Sequence, residues 1–242
     1  MKRRALLIEA SQVFGLLDLP GARKDVDDWV SYLRSPLGGA WENEEISVLH
    51  TPPKSALEIS LLSASVCEYV FIAFSGHGYH VKGKGVDETR IFLSDKQEIS
   101  VNKLNCGAPK TTIVIDACRE VEYLKEELSA VFSMDELSLR MKYADRLAHR
   151  KLFDDAIIKS PKGAEYLYSC DLDETAGESI RGGYFSQALM RCGEKFNNKT
   201  NIYTVCDAFG CAKVIVTNKM PQQNPVCECG RRLTHYPFAV SV

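Results

Sequence analysis

Three observations predict an α/β chain built on a mainly parallel sheet flanked by helices. First, the runs "EYVFIAFSG" (68–76) and "TTIVIDAC" (111–118) are almost continuously apolar, as a strand buried on both faces requires. Second, such runs alternate with amphipathic stretches, the pattern of strands joined by helical crossovers. Third, 242 residues, 45% of them hydrophobic and 26% charged, suffice to bury a substantial core without a partner.

The elements follow in order. The opening "MKRRALLIEA" superficially has the basic-then-apolar form of a secretory signal, but Glu9 and Gln12 interrupt it and no small-residue cleavage site follows, so "RRALLIEA" reads as the first strand. In "GARKDVDDWVSYLRSPL" the residues Val26, Val30, Leu33 and Leu37 recur at helical spacing, and Pro36 to Gly39 end the helix. "EEISVLH" is a short second strand and "SALEISLLSASV" a second helix. After the first central strand, Gly83 to Asp95 has the look of a hairpin or extended arm. "AEYLYSC" supplies a further strand, "GYFSQALMRCGEK" a helix, and "IYTVCDAFGCAKVIV" continues the alternation. Residues 120–162 differ in kind, being long, charged and helix-prone; they read as an insertion into a single domain covering 1–242. Arg140, Lys142, Arg146, Arg150 and Lys151 make that insertion either a self-cleavage segment or a stable helical rim.

A formal charge of −2 argues against a nucleic-acid surface, and no run reaches the ~18 apolar residues of a membrane span. The expectation is a soluble, cytoplasmic chain whose nine cysteines are reduced and mostly buried. Cys227 and Cys229, with Cys206 and Cys211, are a poor match to the paired knuckles of a zinc site, so no metal site is expected.

Chemistry collects at two strand ends. "FSGHGYH" (74–80) sets His77 between glycines just past one central strand, and Cys118 ends the next. In open α/β sheets reactive groups gather at the carboxyl ends of strands, and consecutive strands usually neighbour one another, so the two side chains can meet. A cysteine becomes a nucleophile when a nearby base takes its proton, which is the role open to His77. Gly78, lacking a side chain, lets its N–H approach a substrate carbonyl, and with the Cys118 N–H could form an oxyanion hole. His80 lacks the glycine frame and is the weaker candidate for the base, while His50, His149 and His235 have no evident partner.

"SGHG" after one apolar strand and "IDAC" after the next resemble the caspase-like clan of cysteine proteases, and metacaspases and bacterial caspase-like (orthocaspase-type) peptidases more than caspases. "LPGARKDVDDWVSYL", "YSCDLDETAGE", "GYFSQAL" and the ending "QQNPVCECGRRLTHYPF" are similar, in this order, to segments of that clan, so the resemblance covers nearly the whole chain. It implies a caspase-like sandwich and an endopeptidase with His77 and Cys118 as its dyad. It also implies that Asp116, where caspases have glutamine, lines the pocket for the residue before the scissile bond, with Asp173 as a second pocket carboxylate. Leu172 departs from an acidic position in that pattern. Carboxylates there favour Arg or Lys and repel an acidic side chain, with Arg preferred where the geometry is two-pronged.

The resemblance further implies a dedicated protein substrate or regulatory partner, a role in bacterial defence, stress or cell death, and no required organic cofactor. A monomer is expected rather than an obligate dimer. Calcium activates many metacaspases, but no loop has the spacing of a calcium motif. The rival readings are a catalytically silent caspase-fold scaffold or regulatory subunit, against which the retained dyad argues, and a flavodoxin-like nucleotide module, against which the missing Gly-rich phosphate loop argues.

Overall fold

The computed structural model describes residues 1–83, 85–120, 145–196 and 201–242. Its centre is a six-stranded sheet made of β1 (Arg3–Ala10), β2 (Ile46–His50), β3 (Tyr69–Gly76), β7 (Lys110–Asp116), β8 (Gly163–Tyr168) and β12 (Val226–Glu228), in the order β12-β8-β7-β3-β1-β2. All neighbours run parallel except β12, which pairs antiparallel with β8 at one edge.

Alternate residues of the central strands feed two cores, which is why their sequence is apolar throughout rather than every second position. Ala5, Leu7, Tyr69, Phe71, Ala73, Val114 and Leu167 face one side, where α1 (Pro20–Arg34), α3 (Arg146–Lys159), α4 (Tyr184–Glu194) and α5 (Val205–Lys219) cover them. Leu6, Ile8, Val70, Ile72, Phe74, Ile113 and Ile115 face the other, covered by α2 (Lys54–Ala64) and a small sheet of β4 (Gly78–Gly83), β5 (Val86–Phe92) and β6 (Glu98–Ser100). The expected arm between 83 and 95 is part of this β4–β5 hairpin. Two further pairs complete the chain: β9 (Glu178–Ser179) with β10 (Gly182–Gly183), and β11 (Ile202–Thr204) with β13 (Pro237–Val240).

Trp29 anchors the larger core, its ring 5.2 Å from Phe71 and 6.0 Å from Phe238, so that the amphipathic face of α1 is tied both to β3 and to the C-terminal strand. α5 opens with a reciprocal cap, Thr204 Oγ1 accepting from the Asp207 N–H and Asp207 Oδ2 from the Thr204 N–H, which fixes where the helix begins.

Of the insertion expected at 120–162, residues 121–144, with Arg140 and Lys142, lie outside the described residues. The remainder contains α3, which buries Phe153 and Ile157 in the core. Arg150 makes a two-pronged pair with Glu45, and Arg146 donates to the Trp41 carbonyl. A protease takes its substrate extended, so the bonds after Arg146, Arg150 and Lys151 are withdrawn from cleavage while α3 stays packed.

The expectation of uniformly reduced cysteines needs correcting. Cys192 and Cys211 form a disulfide that joins α4 to α5, while the other seven cysteines take part in no disulfide. The two residues lie on facing helices with their Cα atoms 6.2 Å apart, a separation within the range a disulfide spans. Among the described residues no helix is long and apolar enough to cross a membrane.

Candidate active site

The parallel pairing of β3 with β7 builds the site. Its register sets Ser75 opposite Asp116, so the chain that goes on to His77 and the chain that goes on to Cys118 leave the sheet from neighbouring strand ends. Both lie at the carboxyl edge of the sheet, where the chain leaves the ladder and backbone groups are no longer committed to neighbouring strands.

Gly78 shows how tightly the two ends pack. A Cβ there would lie 3.0 Å from the Ala117 Cβ, 3.0 Å from the Arg90 carbonyl oxygen and 3.1 Å from the Cys118 carbonyl oxygen. Only glycine lets the chain after His77 run this close to the chain around Cys118.

His77 is half-buried, and its Nε2 lies 2.7 Å from the Leu17 carbonyl oxygen. A carbonyl can only accept, so this nitrogen carries the proton, and Nδ1 is left as the nitrogen able to take one. Cys118 is also half-buried; its sulfur accepts the Ala176 N–H at 3.3 Å, a donor suited to hold charge on sulfur. Nearby Cys170 is no rival nucleophile, because it is fully buried and that burial pushes its thiol well up.

The loop carrying Ala176 is held from three directions. Arg119 and residues 173–174 exchange backbone hydrogen bonds, Arg119 N–H to the Glu174 carbonyl and Asp173 N–H to the Arg119 carbonyl. Gln223, wholly buried, accepts from the Gly177 N–H and donates to the Ser169 carbonyl. The Glu174 carboxylate accepts from both the backbone and the side chain of Asn224. Arg119 itself is buried over the Tyr168 ring at 4.0 Å, donating to Thr89 and to the Cys170 carbonyl.

Beneath this surface lie two buried carboxylates. Asp116, 5% exposed, accepts the Ser186 N–H at 2.9 Å, at the start of α4. Asp25, from α1 and 0% exposed, accepts from the Ser75 hydroxyl at 2.7 Å, the Gly183 N–H at 2.9 Å and the Gln187 amide at 3.1 Å. A Cβ on Gly182 would lie 2.2 Å from Asp25 Oδ1, and one on Gly183 would lie 2.3 Å from Asp116 Oδ2, so "RGGYFSQ" wraps bare backbone around both acids. Burial, and then the Asp116 charge, raise the Asp25 carboxyl well above its ordinary range. Burial raises Asp116 too, against the stabilising hydrogen bonds from Ser186. Among the described residues no Lys or Arg pairs with either acid.

The other predicted residues fall elsewhere. Asp173 is exposed, with a backbone in the left-handed region (φ 64°), on the loop that leads to Ala176. His80 is buried in β4, bonded to Asp87 and Thr89, which gives it a structural place in the hairpin. The histidines without an evident partner have one: His50 meets Glu9, His149 the Asp145 carbonyl and His235 Glu165. Sequence reasoning missed Leu17, Asp25 and Ala176. Leu17 and Ala176 act through backbone atoms and leave no side-chain signal. Asp25 sits in the helix "GARKDVDDWV", where a single acid among several reads as a solvated face.

Among the described residues, the one group of three or more His, Cys, Asp or Glu side chains whose ligand atoms lie close enough together to hold a metal ion is Glu165, Cys229 and His235.

The family model described as "Caspase domain" matches residues 2–236. This chain belongs to the caspase domain family. A solved structure similar to it is the crystal structure of caspase-1 from Spodoptera frugiperda, at TM-score 0.61 and 15% identity, covering 96% of this chain and 89% of that one, a likeness of fold. No curated protein matches the chain. The family is one of cysteine peptidases, and the mostly parallel sheet flanked by helices is that of the caspase fold.

Proposed function

We propose that this caspase-family chain is a cysteine endopeptidase that uses Cys118 and His77 to cut after a basic residue, Arg before Lys. The observation that carries the reading is the β3–β7 register with its glycine contact, which sets the two strand ends side by side. Cys118 Sγ attacks the scissile carbonyl as its proton passes to His77 Nδ1, the nitrogen left open by the Nε2–H···Leu17 hydrogen bond. The Gly78 and Cys118 N–H groups hold the oxyanion. His77 then protonates the leaving amine, and water, deprotonated by His77, releases the acyl group.

For specificity, Asp116 is paired with Asp25 rather than with Asp173. Two buried carboxylates that accept backbone hydrogen bonds from the chain entering α4, with no cation paired to them among the described residues, are complementary to an incoming guanidinium, whose planar fork can engage both. The proposed substrate is a protein, in a defence, stress or cell-death setting.

The test is a matched set of fluorogenic peptides with Arg, Lys, Ala or Asp before the cut, run on wild type and Asp116→Asn, alongside labelling by a thiol-reactive Arg peptide. Wild type should prefer Arg and take the label on Cys118. Faster cleavage after Asp than after Arg would overturn the pocket assignment. An unlabelled Cys118 with no turnover of any peptide would favour a silent scaffold instead.

A further inference from the structure

On β8 and β12, toward the amino ends of the parallel strands rather than the carboxyl ends where the dyad lies, a second cluster has no part in the proposed chemistry. Cys227 pairs with Leu167 across the antiparallel β12–β8 ladder, and the same register, extended by two residues, sets Cys229 opposite Glu165. Residues two apart on a strand face the same side, so both thiols and the Glu165 carboxylate point together. His235 joins them from the segment before β13: one ligand atom each from Glu165, Cys229 and His235 lie within 4.8 Å of one another.

Glu165 is the second observation. It is fully buried, and two donors share one of its oxygens, Arg232 at 2.7 Å and His235 Nδ1 at 3.1 Å. Its other oxygen, Oε2, is buried with no hydrogen-bond partner. A buried carboxylate oxygen left bare is costly and calls for a ligand.

We propose that Cys227, Cys229, His235 and Glu165 form a structural zinc site. Two soft thiolates, an imidazole and a carboxylate make up a four-ligand set suited to tetrahedral Zn²⁺, and four protein ligands leave no open position for catalysis. On binding, each thiol releases its proton to solvent and each sulfur donates a lone pair to the ion. A divalent ion with two thiolates and one carboxylate bears one net negative charge, which Arg232 cancels while it orients Glu165 from the outer side. Zn–S bonds of ~2.3 Å put tetrahedral ligand atoms roughly 3.8 Å apart, so Glu165, Cys229 and His235, within 4.8 Å of one another, need close by only about an ångström, while Cys227, on the same face of the strand, has to turn in to complete the set. The half-buried Cys227 and His235 leave the ion a way in. The spacing gave no such signal because His235 and Glu165 come from outside any knuckle. Cys211, which the sequence grouped with these thiols, is removed from the set by its disulfide to Cys192.

The experiment uses the whole chain as Cys118→Ala, so that the thiol of the proposed dyad cannot take the metal, kept reduced under conditions that leave the Cys192–Cys211 disulfide intact and stripped with a chelator. It is titrated with Zn²⁺ and separately with Co²⁺, and bound zinc is counted by elemental analysis. The expected result is one zinc per chain, a cobalt spectrum with tetrahedral bands and thiolate charge transfer, and a raised melting temperature. Added Cys229→Ser or Cys227→Ser should each weaken binding by ~10-fold or more, and Cys106→Ser, on the other face of the sheet, by nothing. Should Cys229→Ser fail to fold by circular dichroism, His235→Ala, at a partly exposed position, is read in its place, with the same loss expected. Substoichiometric zinc, an octahedral cobalt spectrum without thiolate bands, binding that survives these substitutions, or a Cys227–Cys229 disulfide in the reduced protein would each overturn the proposal.

Discussion

Replacing Asp25 with Asn separates the pocket carboxylate from the dyad, because Asp25 lies on α1 and reaches the site only through Ser75, Gly183 and Gln187. An Asn oxygen in the place of Oδ2 keeps the Ser75 and Gly183 bonds, and its NH₂ in the place of Oδ1 is met by turning the Gln187 amide over. That turn gives up the Gln187 bond to the Asp28 carboxylate, a hydrogen bond to a charged acceptor worth ~1.5–3 kcal/mol. What Asn cannot supply is the charge. Losing one partner of a buried charge pair costs ~2–5 kcal/mol, which at ~1.36 kcal/mol per decade is a loss of ~30-fold to several-thousand-fold in kcat/KM for an Arg peptide. An Ala peptide, which never reaches the carboxylates, should change little, so the Arg-to-Ala ratio collapses.

Stability should move the opposite way. Asp25 and Asp116 are both raised above the ordinary Asp value of 3.8, so above that value the native state keeps protons that the unfolded chain has lost. Stability therefore falls as pH rises through the interval from about 4 up to the folded values. Asn at position 25 removes one of the two charges that repel, which flattens this fall, while the Gln187–Asp28 bond given up offsets part of the gain at neutral pH. Over the same interval the Arg activity of wild type should rise with pH as the carboxylates ionise. Peptide kinetics and thermal melts across pH on the two proteins measure both effects. An unchanged Arg-to-Ala ratio in Asp25→Asn, with the fold intact, would refute the two-carboxylate pocket.

Three further outcomes follow from the geometry. Cys118→Ala and His77→Ala should each abolish turnover while shifting the melting temperature little, since both side chains are half-buried at strand ends; turnover retained by either rules the dyad out. Gly78→Ala should cut kcat by ~10²–10³, the usual cost of a lost oxyanion donor, because its Cβ would press on Ala117, Arg90 and Cys118 and move the N–H; wild-type kcat would show that Gly78 is not positioned for this. Thiol titration of the denatured, unreduced chain should count seven free cysteines, and Cys211→Ser should destabilise it by ~3 kcal/mol, the scale for a loop of this length; nine free thiols would exclude the Cys192–Cys211 bond.

How much the sequence determined depends on the reach of the interaction concerned. Strands β1, β3 and β7 were legible because burial on both faces demands an unbroken apolar run, and His77, Gly78 and Cys118 because a glycine-framed histidine and a cysteine at consecutive strand ends have few other uses. α1 was legible from its 3.6-residue period. The antiparallel edge strand β12 was not, since three residues, Val226, Cys227 and Glu228, carry no readable period. Contacts between segments distant in the chain were set by tertiary structure alone. Asp25 meets Asp116 only because α1 and α4 pack over the end of β7, and Glu165 meets Cys229 only through the β8–β12 register. Cys192 finds Cys211 because two helices lie face to face, and Leu17 holds His77 through a carbonyl that every residue possesses. The physical reason is the same in each case: side-chain period and polarity record how one segment meets solvent and core, whereas which two segments meet is fixed only once the sheet order and the helix packing exist.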